Sequence, residues 1–442
     1  MKPWKNIVRK LFAFALVFVF VMSLTACSGN RDLPLKGQSD SKTEELKWDS
    51  KKHGIYEFAD SVYATEGYDK VATITALSDF SLRLFEENMD LWGGEQCSNN
   101  ILISPASIIT ALGMTTYGAK GVTLSQMEEV FGVERGYLNY YNNKYLEKVS
   151  DELKLANSIW FTNDERLTVN DAFLQFNEEC YGSEIYETAF NDATLFAIND
   201  WVEKKTDGMI KNILDEIPQD AVMYLINALV FEAEWAEKYD ESQIWKNAEF
   251  TTSTGEVQKV DMMRSEEFLY LEDKDAKGFI KQYKGGNYAF VALLPNERIT
   301  ISEYVKNLSG EHLQNMLANP YRDAMVFAHL PQFSYEYNVE MRELLKEMGM
   351  TDAFSAENAD FTSMATSTRG NIFINRVLHK TYIEVSPVGT KAGAATVVEM
   401  TDESAPFHEE MKEVFLDRPF LYMIIDLENN MPVFIGVVNS VE

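Results

Sequence analysis

The chain has 442 residues, of which 46% are hydrophobic, and this composition is typical of a folded body rather than a disordered chain. It carries 40 basic and 69 acidic side chains, a formal net charge of −29. This balance argues against a nucleic-acid ligand, because phosphate contacts need clustered Lys and Arg. It would favour encounters with cationic partners, although it also serves solubility alone.

Residues 1–26 are typical of an export signal. Four basic residues lie in the first ten, and the apolar stretch that follows, residues 11–24, is short for a membrane span. The stretch ends at Leu24-Thr25-Ala26-Cys27, which resembles a bacterial lipobox. We expect cleavage before Cys27, lipidation of its thiol, and anchoring on the outer side of the cell membrane or release from there. An ordinary cleaved signal peptide or a hydrophobic anchor is the alternative.

Residues 27–69 are polar and lack apolar periodicity, so they are expected to form a flexible tether. The two further cysteines, Cys97 and Cys180, could pair. A single pair in so long a chain is not a disulfide framework, however, and two unpaired thiols are the simpler expectation.

Helical patterns dominate the first half of the remaining chain. Apolar spacing over residues 76–89 predicts an amphipathic helix. Ser104-Pro105 predicts a helix start, because Ser caps free backbone N–H groups and Pro suits the first helical position. Residues 153–161 look like a buried strand, and residues 198–214 like a helix, a glycine break and a second apolar run.

Strand patterns dominate the second half. Residues 224–235 look like a strand, and short β-like runs follow from about residue 250, one of them covering residues 371–385. Near the C-terminus two strand-like runs flank Glu428-Asn429-Asn430, which predicts a β-hairpin with Asn at the turn. The predicted class is α+β with largely antiparallel sheets.

The sequence holds no recognisable catalytic or metal motif. Only five histidines are present, and the chain has neither a G-x-S-x-G elbow, nor H-E-x-x-H, nor a phosphate-binding glycine loop. We therefore expect no enzyme activity, no metal and no cofactor, with a hydrolase as the least favoured hypothesis. His379 lies in an apolar strand pattern and is expected to be a hydrogen-bonded core residue.

A set of short motifs, in order and at the expected spacing from about residue 70 to 440, resembles the serpin family. They are Asn100-Ile101 with 104–108 (SPASI), Asn227, Trp235, 348–350 (MGM), 352–354 (DAF), 359–361 (ADF), His379-Lys380 and 417–420 (DRPF).

This resemblance implies one domain, residues 70–442, with three mostly antiparallel sheets and eight or nine helices. It also implies an exposed reactive loop at about residues 386–412. In the family a serine protease cleaves this loop and is trapped as an acyl-enzyme, while the cut loop inserts into the main sheet as a new strand. A monomer is expected.

By the same resemblance, four polar residues match the cluster beneath the point where the strands of that sheet part. They are Ser104, Ser107, Asn227 and His379. Trp235 matches the aromatic residue where insertion begins, and Gly389 matches the hinge glycine.

The hinge itself, 389–396 (GTKAGAAT), can be tested physically. In a strand alternate residues share a face, so Thr390, Ala392, Ala394 and Thr396 would face inward and Lys391, Gly393 and Ala395 outward. The inward set is small and uncharged, which suits insertion into a preformed core without overpacking.

The position of the reactive bond stays open. The family count from Gly389 gives Glu403-Ser404, which leaves about 46 Å of insertable strand, whereas Met400-Thr401 leaves about 36 Å. An inward Asp402 would be costly to bury and should end insertion. Counting back from residues 418–420 moves the bond towards His408 instead. Glu would imply an acid-preferring protease, and Met an elastase-, chymotrypsin- or subtilisin-like one.

Pro387-Val388 departs from the two acidic residues usual in the family, so an ion pair at the top of the sheet is expected to be missing and a strand N–H is lost. This departure and the long acidic connection motivate an alternative hypothesis, a non-inhibitory serpin that serves as a binding or scaffold protein on the cell surface.

Overall fold

A computed structural model describes residues 47–48, 64–94, 98–390 and 410–441 of the chain. Its helices and strands belong to one compact unit, Leu46–Glu442. Within the described residues no helix is both long and apolar enough to cross a bilayer.

The described residues contain nine α-helices. They are α1 (Lys70–Leu91), α2 (Pro105–Thr116), α3 (Gly121–Phe131), α4 (Arg135–Leu146), α5 (Asp171–Tyr181), α6 (Asp192–Lys205), α7 (Ile301–Asn307), α8 (Gly310–Ala318) and α9 (Arg342–Glu347). Helix α2 starts as predicted, because the Ser104 hydroxyl accepts the Ser107 N–H and Pro105 takes the first helical position.

Nineteen strands lie in the same residues. They are β1 (Ile101–Ile103), β2 (Leu153–Thr162), β3 (Leu167–Val169), β4 (Glu184–Thr188), β5 (Met223–Phe231), β6 (Ala233–Glu234), β7 (Ile244–Thr251), β8 (Val257–Glu267), β9 (Tyr270–Glu272), β10 (Ala276–Gln282), β11 (Tyr288–Pro295), β12 (Ala324–Pro331), β13 (Phe333–Glu340), β14 (Ala365–Ser367), β15 (Leu378–Val385), β16 (Gly389–Thr390), β17 (Glu410–Phe415), β18 (Phe420–Asp426) and β19 (Met431–Val438).

The strands form three principal sheets. One has the order β1-β19-β18-β11-β10-β9 and a second the order β17-β12-β8-β7. The third consists of two hydrogen-bonded parts, β4-β2-β5 and β13-β15-β16-β6. We call these two parts together the large sheet, because β5 continues into β6 across Glu232. Strands β3 and β14 form a small separate pair.

The core lies between helices α1 and α2 and the hairpin β18–β19, and every residue of these two strands is buried. Its turn contains Asn430 with a φ of 50°, which confirms the prediction of an Asn turn between two strands. Helix α2 packs against both β19 and β5 and therefore links this core to the large sheet.

One sequence prediction fails locally. Strand β15 begins at Leu378, not at residue 371, because residues 371–377 flank a cavity and form no strand pairing within the described residues. The predicted helix and glycine break in residues 198–214 are confirmed: helix α6 ends at Lys205, and Asp207 and Gly208 both have positive φ values that break the helix.

Candidate functional site

The large sheet lacks a strand between β5 and β15. No backbone pairing joins these two strands in the described residues, and only β16 lies between β15 and β6. We call the gap between β5 and β15 the slot. Its upper end is the part closed by β16, and its lower part lies between residues 223–227 and residues 377–379.

Strand β16 is formed by the first two residues of the predicted hinge. Thr390 pairs with Val385 on one side and with Ala233 on the other, and Gly389 pairs with Glu234. A Cβ atom at position 389 would lie 2.1 Å from the Ala233 carbonyl oxygen. Glycine is therefore required there by the close approach of the neighbouring backbone.

A pair of stacked aromatic rings supports this short strand. Trp235 is fully buried, and its ring lies parallel to that of Tyr283 with centroids 4.5 Å apart. The hydroxyls of Tyr283 and Thr390 are 2.5 Å apart. Thr390 is itself only 2% exposed, so its side chain faces inward as the alternation predicts.

The turn that precedes β16 uses carbonyl groups rather than charges. The Trp235 backbone N–H donates to the Val388 carbonyl at 2.9 Å, and the Tyr239 N–H donates to the Pro387 carbonyl at 3.0 Å. The Trp235 indole N–H donates to the Ser386 carbonyl at 2.8 Å. Pro387 therefore lies in a turn where its missing N–H is not needed.

Three of the four predicted polar residues come together beside the slot. The Ser104 N–H donates to Nε2 of His379 at 2.9 Å, and the Ser104 hydroxyl donates to the Val433 carbonyl. Ser107 lies next to this pair, because its backbone N–H donates the helix-capping hydrogen bond to the Ser104 hydroxyl. Burial lowers the pKa of His379 to about 4, so its ring is neutral at pH 7 and able to accept this bond.

The fourth residue, Asn227, lies on the opposite side of the slot. Its side-chain N–H donates to Oδ1 of Asn157 at 2.8 Å. Its own Oδ1 is buried and has no hydrogen-bond partner among the described residues. An orphaned acceptor of this kind is costly and marks a position where another donor fits.

The lower part of the slot opens into a cavity of about 480 Å³. Its walls are residues 222–227 and residues 369–379, and helix α2 contributes Ser107, Ile108 and Ala111 to its lining. Arg166 and Arg376 also line it. The cavity thus lies directly beneath the one place where the large sheet has no strand.

The remaining predicted site residues lie outside the described residues. They are Cys27, Lys391, Ala392, Gly393, Ala394, Ala395, Thr396, Met400, Thr401, Glu403 and Ser404. Within the predicted loop span of about 386–412, β16 lies near the start, β17 begins at Glu410, and residues 391–409 lie outside the described residues. Of the other cysteines, Cys97 also lies outside, and Cys180 is a buried free thiol.

Two residues near the hinge were missed by sequence reasoning, Lys281 and Tyr283. Both lie on the same side of the β10 pattern as Phe279, and all three are buried. The sequence could have indicated this, because Lys281 stands at the inward position of an alternating pattern, two residues from Phe279 and two from Tyr283. In the described residues no group of three or more His, Cys, Asp or Glu side chains is arranged to hold a metal ion.

Within the described residues, the large sheet thus lacks a strand between β5 and β15, and residues 389–390 lie paired at one end of this gap. The chain belongs to the serpin family: the family model described as Serpin (serine protease inhibitor) matches residues 75–441. This confirms the predicted family and fold. Members of the family are mostly protease inhibitors rather than enzymes, and some are non-inhibitory.

Similar proteins span nearly the whole described fold. An uncharacterized serpin-like protein of Thermococcus kodakarensis is 31% identical over 383 residues, covering 84% of this chain and 86% of that protein. The crystal structure of the thermophilic serpin tengpin in its native state is 42% identical with a TM-score of 0.76, covering 83% and 94% of the two chains. Human thyroxine-binding globulin, 23% identical with a TM-score of 0.71 over 84% and 99%, shares the fold.

Proposed function

We propose that the protein inhibits a serine protease by letting it cleave the loop after β16, which then inserts into the slot while the acyl-enzyme is trapped. The observation that carries the proposal is that Gly389 and Thr390 already pair on both sides at the upper end of the slot. Insertion would extend an existing strand and would not need to start a new one.

The register of β16 specifies where later loop residues would lie. Thr390 lies opposite Ala233 and Val385, and both neighbouring strands are antiparallel to β16. Each step forward along the loop therefore moves one step back along both neighbours. Continued in this way, the loop runs from the upper end of the slot into the cavity.

Position 396 then falls between Asn227 and His379. Thr396 is on the inward face of the predicted strand, and its hydroxyl could donate to the orphaned Oδ1 of Asn227. An unsatisfied acceptor at the level where the loop offers a hydroxyl supports this register. The small inward residues Ala392 and Ala394 would fill the slot above it without overpacking.

The bond attacked is proposed to be Glu403-Ser404, with Met400-Thr401 as the alternative. The first implies a Glu-specific protease as partner, and the second an elastase- or subtilisin-like one. The net charge of −29 would favour a cationic protease in either case. We further propose that lipid on Cys27 holds a monomer on the outer side of the membrane.

The test is incubation with a panel of serine proteases of these specificities, followed by denaturing gels and mass spectrometry. A covalent complex is expected, and the mass of the released C-terminal peptide identifies the bond. The control is the same protease with its serine blocked, which should form no complex. Cleavage of the loop by every protease in the panel, with no complex, would contradict inhibition.

A second candidate is a non-inhibitory serpin that binds a partner at the cell surface. It is motivated by Pro387-Val388, which depart from the family pattern beside the hinge, and by the long acidic connection towards β17. Loop cleavage separates the two candidates. A sharp rise in melting temperature on cleavage indicates that insertion is intact and removes the ground for this candidate.

A further inference from the structure

A buried ion pair lies below the hinge and joins two sheets. Nζ of Lys281 in β10 is 2.8 Å from Oε1 of Glu267 in β8, and the two side chains are 4% and 12% exposed. Strand β10 belongs to the six-stranded sheet and β8 to the sheet β17-β12-β8-β7.

The Lys281 ammonium also contacts the two aromatic residues that hold the turn before the hinge. It lies 4.6 Å from the centre of the Tyr239 ring and 5.6 Å from that of Trp235, both within range of a cation–π interaction. Their backbone N–H groups are the donors to the carbonyls of Pro387 and Val388. One buried charge therefore contacts both residues that bind the turn.

Further hydrogen bonds fix the carboxylate side of this cluster. The Ser265 hydroxyl donates to Oε1 of Glu267 at 2.7 Å, and the Tyr239 and Ser265 hydroxyls are 3.2 Å apart. Glu267 thus holds the Lys281 ammonium directly and the Tyr239 ring through Ser265.

A contribution to the overall stability of the fold does not explain why a buried ion pair is present here. Removing two charges from water is costly, and replacing a buried ion pair by apolar residues of similar volume is often neutral or stabilising. What the pair adds is a fixed position for the charge and for the rings around it.

We propose that Lys281 is a positioning residue for loop insertion. Held by Glu267, its ammonium fixes the rings of Trp235 and Tyr239 and thereby keeps the segment from Pro387 to Thr390 paired at the upper end of the slot. Its consequence for inhibition rests on the proposed function, whereas its effect on the turn can be measured without any protease.

The decisive variant removes both charges at once, Lys281→Met with Glu267→Gln. Methionine retains the length of the lysine side chain, and glutamine retains an acceptor for the Ser265 hydroxyl. A single substitution would leave an unpaired buried charge and could prevent folding. The matched control is Lys259→Met with Glu249→Gln, an exposed pair that also involves β8.

Amide hydrogen exchange of Trp235 and Tyr239 is compared with global unfolding in urea. In the double variant both amides are expected to exchange about ten-fold faster or more, because the turn opens locally, while the urea midpoint stays unchanged. The control variant should match the wild type in both measurements. Unchanged exchange would overturn the proposal, and so would faster exchange that only follows a loss of global stability.

The inhibition arm uses the same variant. If wild-type protein forms a complex, the double variant is expected to need several-fold more inhibitor molecules for each protease molecule trapped. A looser hinge slows insertion, so a larger share of the acyl-enzyme hydrolyses before the protease is trapped. If wild-type protein forms no complex, the proposed function fails, and hydrogen exchange still decides the role of Lys281.

Discussion

The large sheet is complete across Gly389 and Thr390 at its upper end, whereas its lower part lacks a strand. At the upper end every contact is close: Thr390 is buried, and the Trp235 and Tyr283 rings are stacked against each other. In the lower part a cavity of about 480 Å³ lies between the strands, and the buried Oδ1 of Asn227 has no hydrogen-bond partner in the part of the chain that the structure describes.

Under the proposed function, this difference indicates which part of the slot would favour insertion. A strand that enters the lower part would pair the open strand edges and satisfy the buried acceptor, which alone contributes about 1–3 kcal/mol. The upper end has already gained its hydrogen bonds. If the loop inserts as proposed, the lower part supplies the driving force, and the upper end sets the direction and register.

The largest expected effect comes from placing a charge on the inward face of the loop. Ala394→Glu would place a carboxylate between the buried residues Leu229 and Thr381, at a cost of several kcal/mol. We expect complex formation to fall by about 100-fold or more, and loop cleavage to raise the melting temperature far less than in the wild type.

Its matched control is Ala395→Glu, which faces outward opposite Lys380 in the same register. This variant should inhibit nearly as well as the wild type. If both variants lose activity equally, the proposed register is wrong.

The next effect is pH dependence in the lower part of the slot. The folded-state pKa of His379 is about 4, below the ordinary value of 6.5, because the ring is buried. Its contribution to stability is therefore complete above pH 6.5 and is lost as the pH falls towards 4, by about 3 kcal/mol at most.

His379→Gln keeps an acceptor near the position of Nε2 but does not titrate. The unfolding free energy of wild type and variant is measured in urea at pH 7 and at pH 4. The wild-type value minus the variant value should be smaller at pH 4 than at pH 7, by about this amount. A difference that is independent of pH would show that His379 is not buried as a neutral ring.

The smallest effect concerns the first loop residue beyond the described hinge. In the register of β16, Lys391 would face outward between Glu232 and Glu384. Because exposed ion pairs contribute about 0.2–1 kcal/mol, Glu232→Gln with Glu384→Gln should reduce the stabilisation on loop cleavage by no more than that. Glu336→Gln, an exposed carboxylate on β13, is the control and should change nothing.

Much of the fold could be predicted from local patterns. The Ser104 cap, the strand over residues 153–161 and the Asn turn of the last hairpin each depend on residues close in sequence, and each was found. Residues 371–377 (NIFINRV) are predicted as strand because β-branched and aromatic residues are frequent among them. Strand formation needs a partner, however, and no partner strand for them is found among the described residues.

The slot could not be predicted either, because it depends on which strands pair and not on local sequence patterns. The pattern of residues 224–235 predicts a strand but does not reveal that one edge of it has no neighbouring strand among the described residues. The motif residues Ser104 and His379 are joined by a hydrogen bond, and Asn227 lies across the slot on the wall of the same cavity as His379. The pair of Lys281 and Glu267 joins two sheets, so its geometry depends on long-range packing that no local pattern encodes.

The position of the β18–β19 hairpin has a consequence for biosynthesis. These strands lie inside the six-stranded sheet, between β1 and β11, although they are the last described strands to be synthesised. Strand β19 must therefore emerge from the ribosome, and cross the membrane if the chain is exported, before β1 can pair with it. Until then β1 and β11 have exposed edges, and such delayed long-range pairing favours slow folding and aggregation. Truncation within this hairpin is expected to prevent folding altogether, even though every residue of the hinge and the slot would be present.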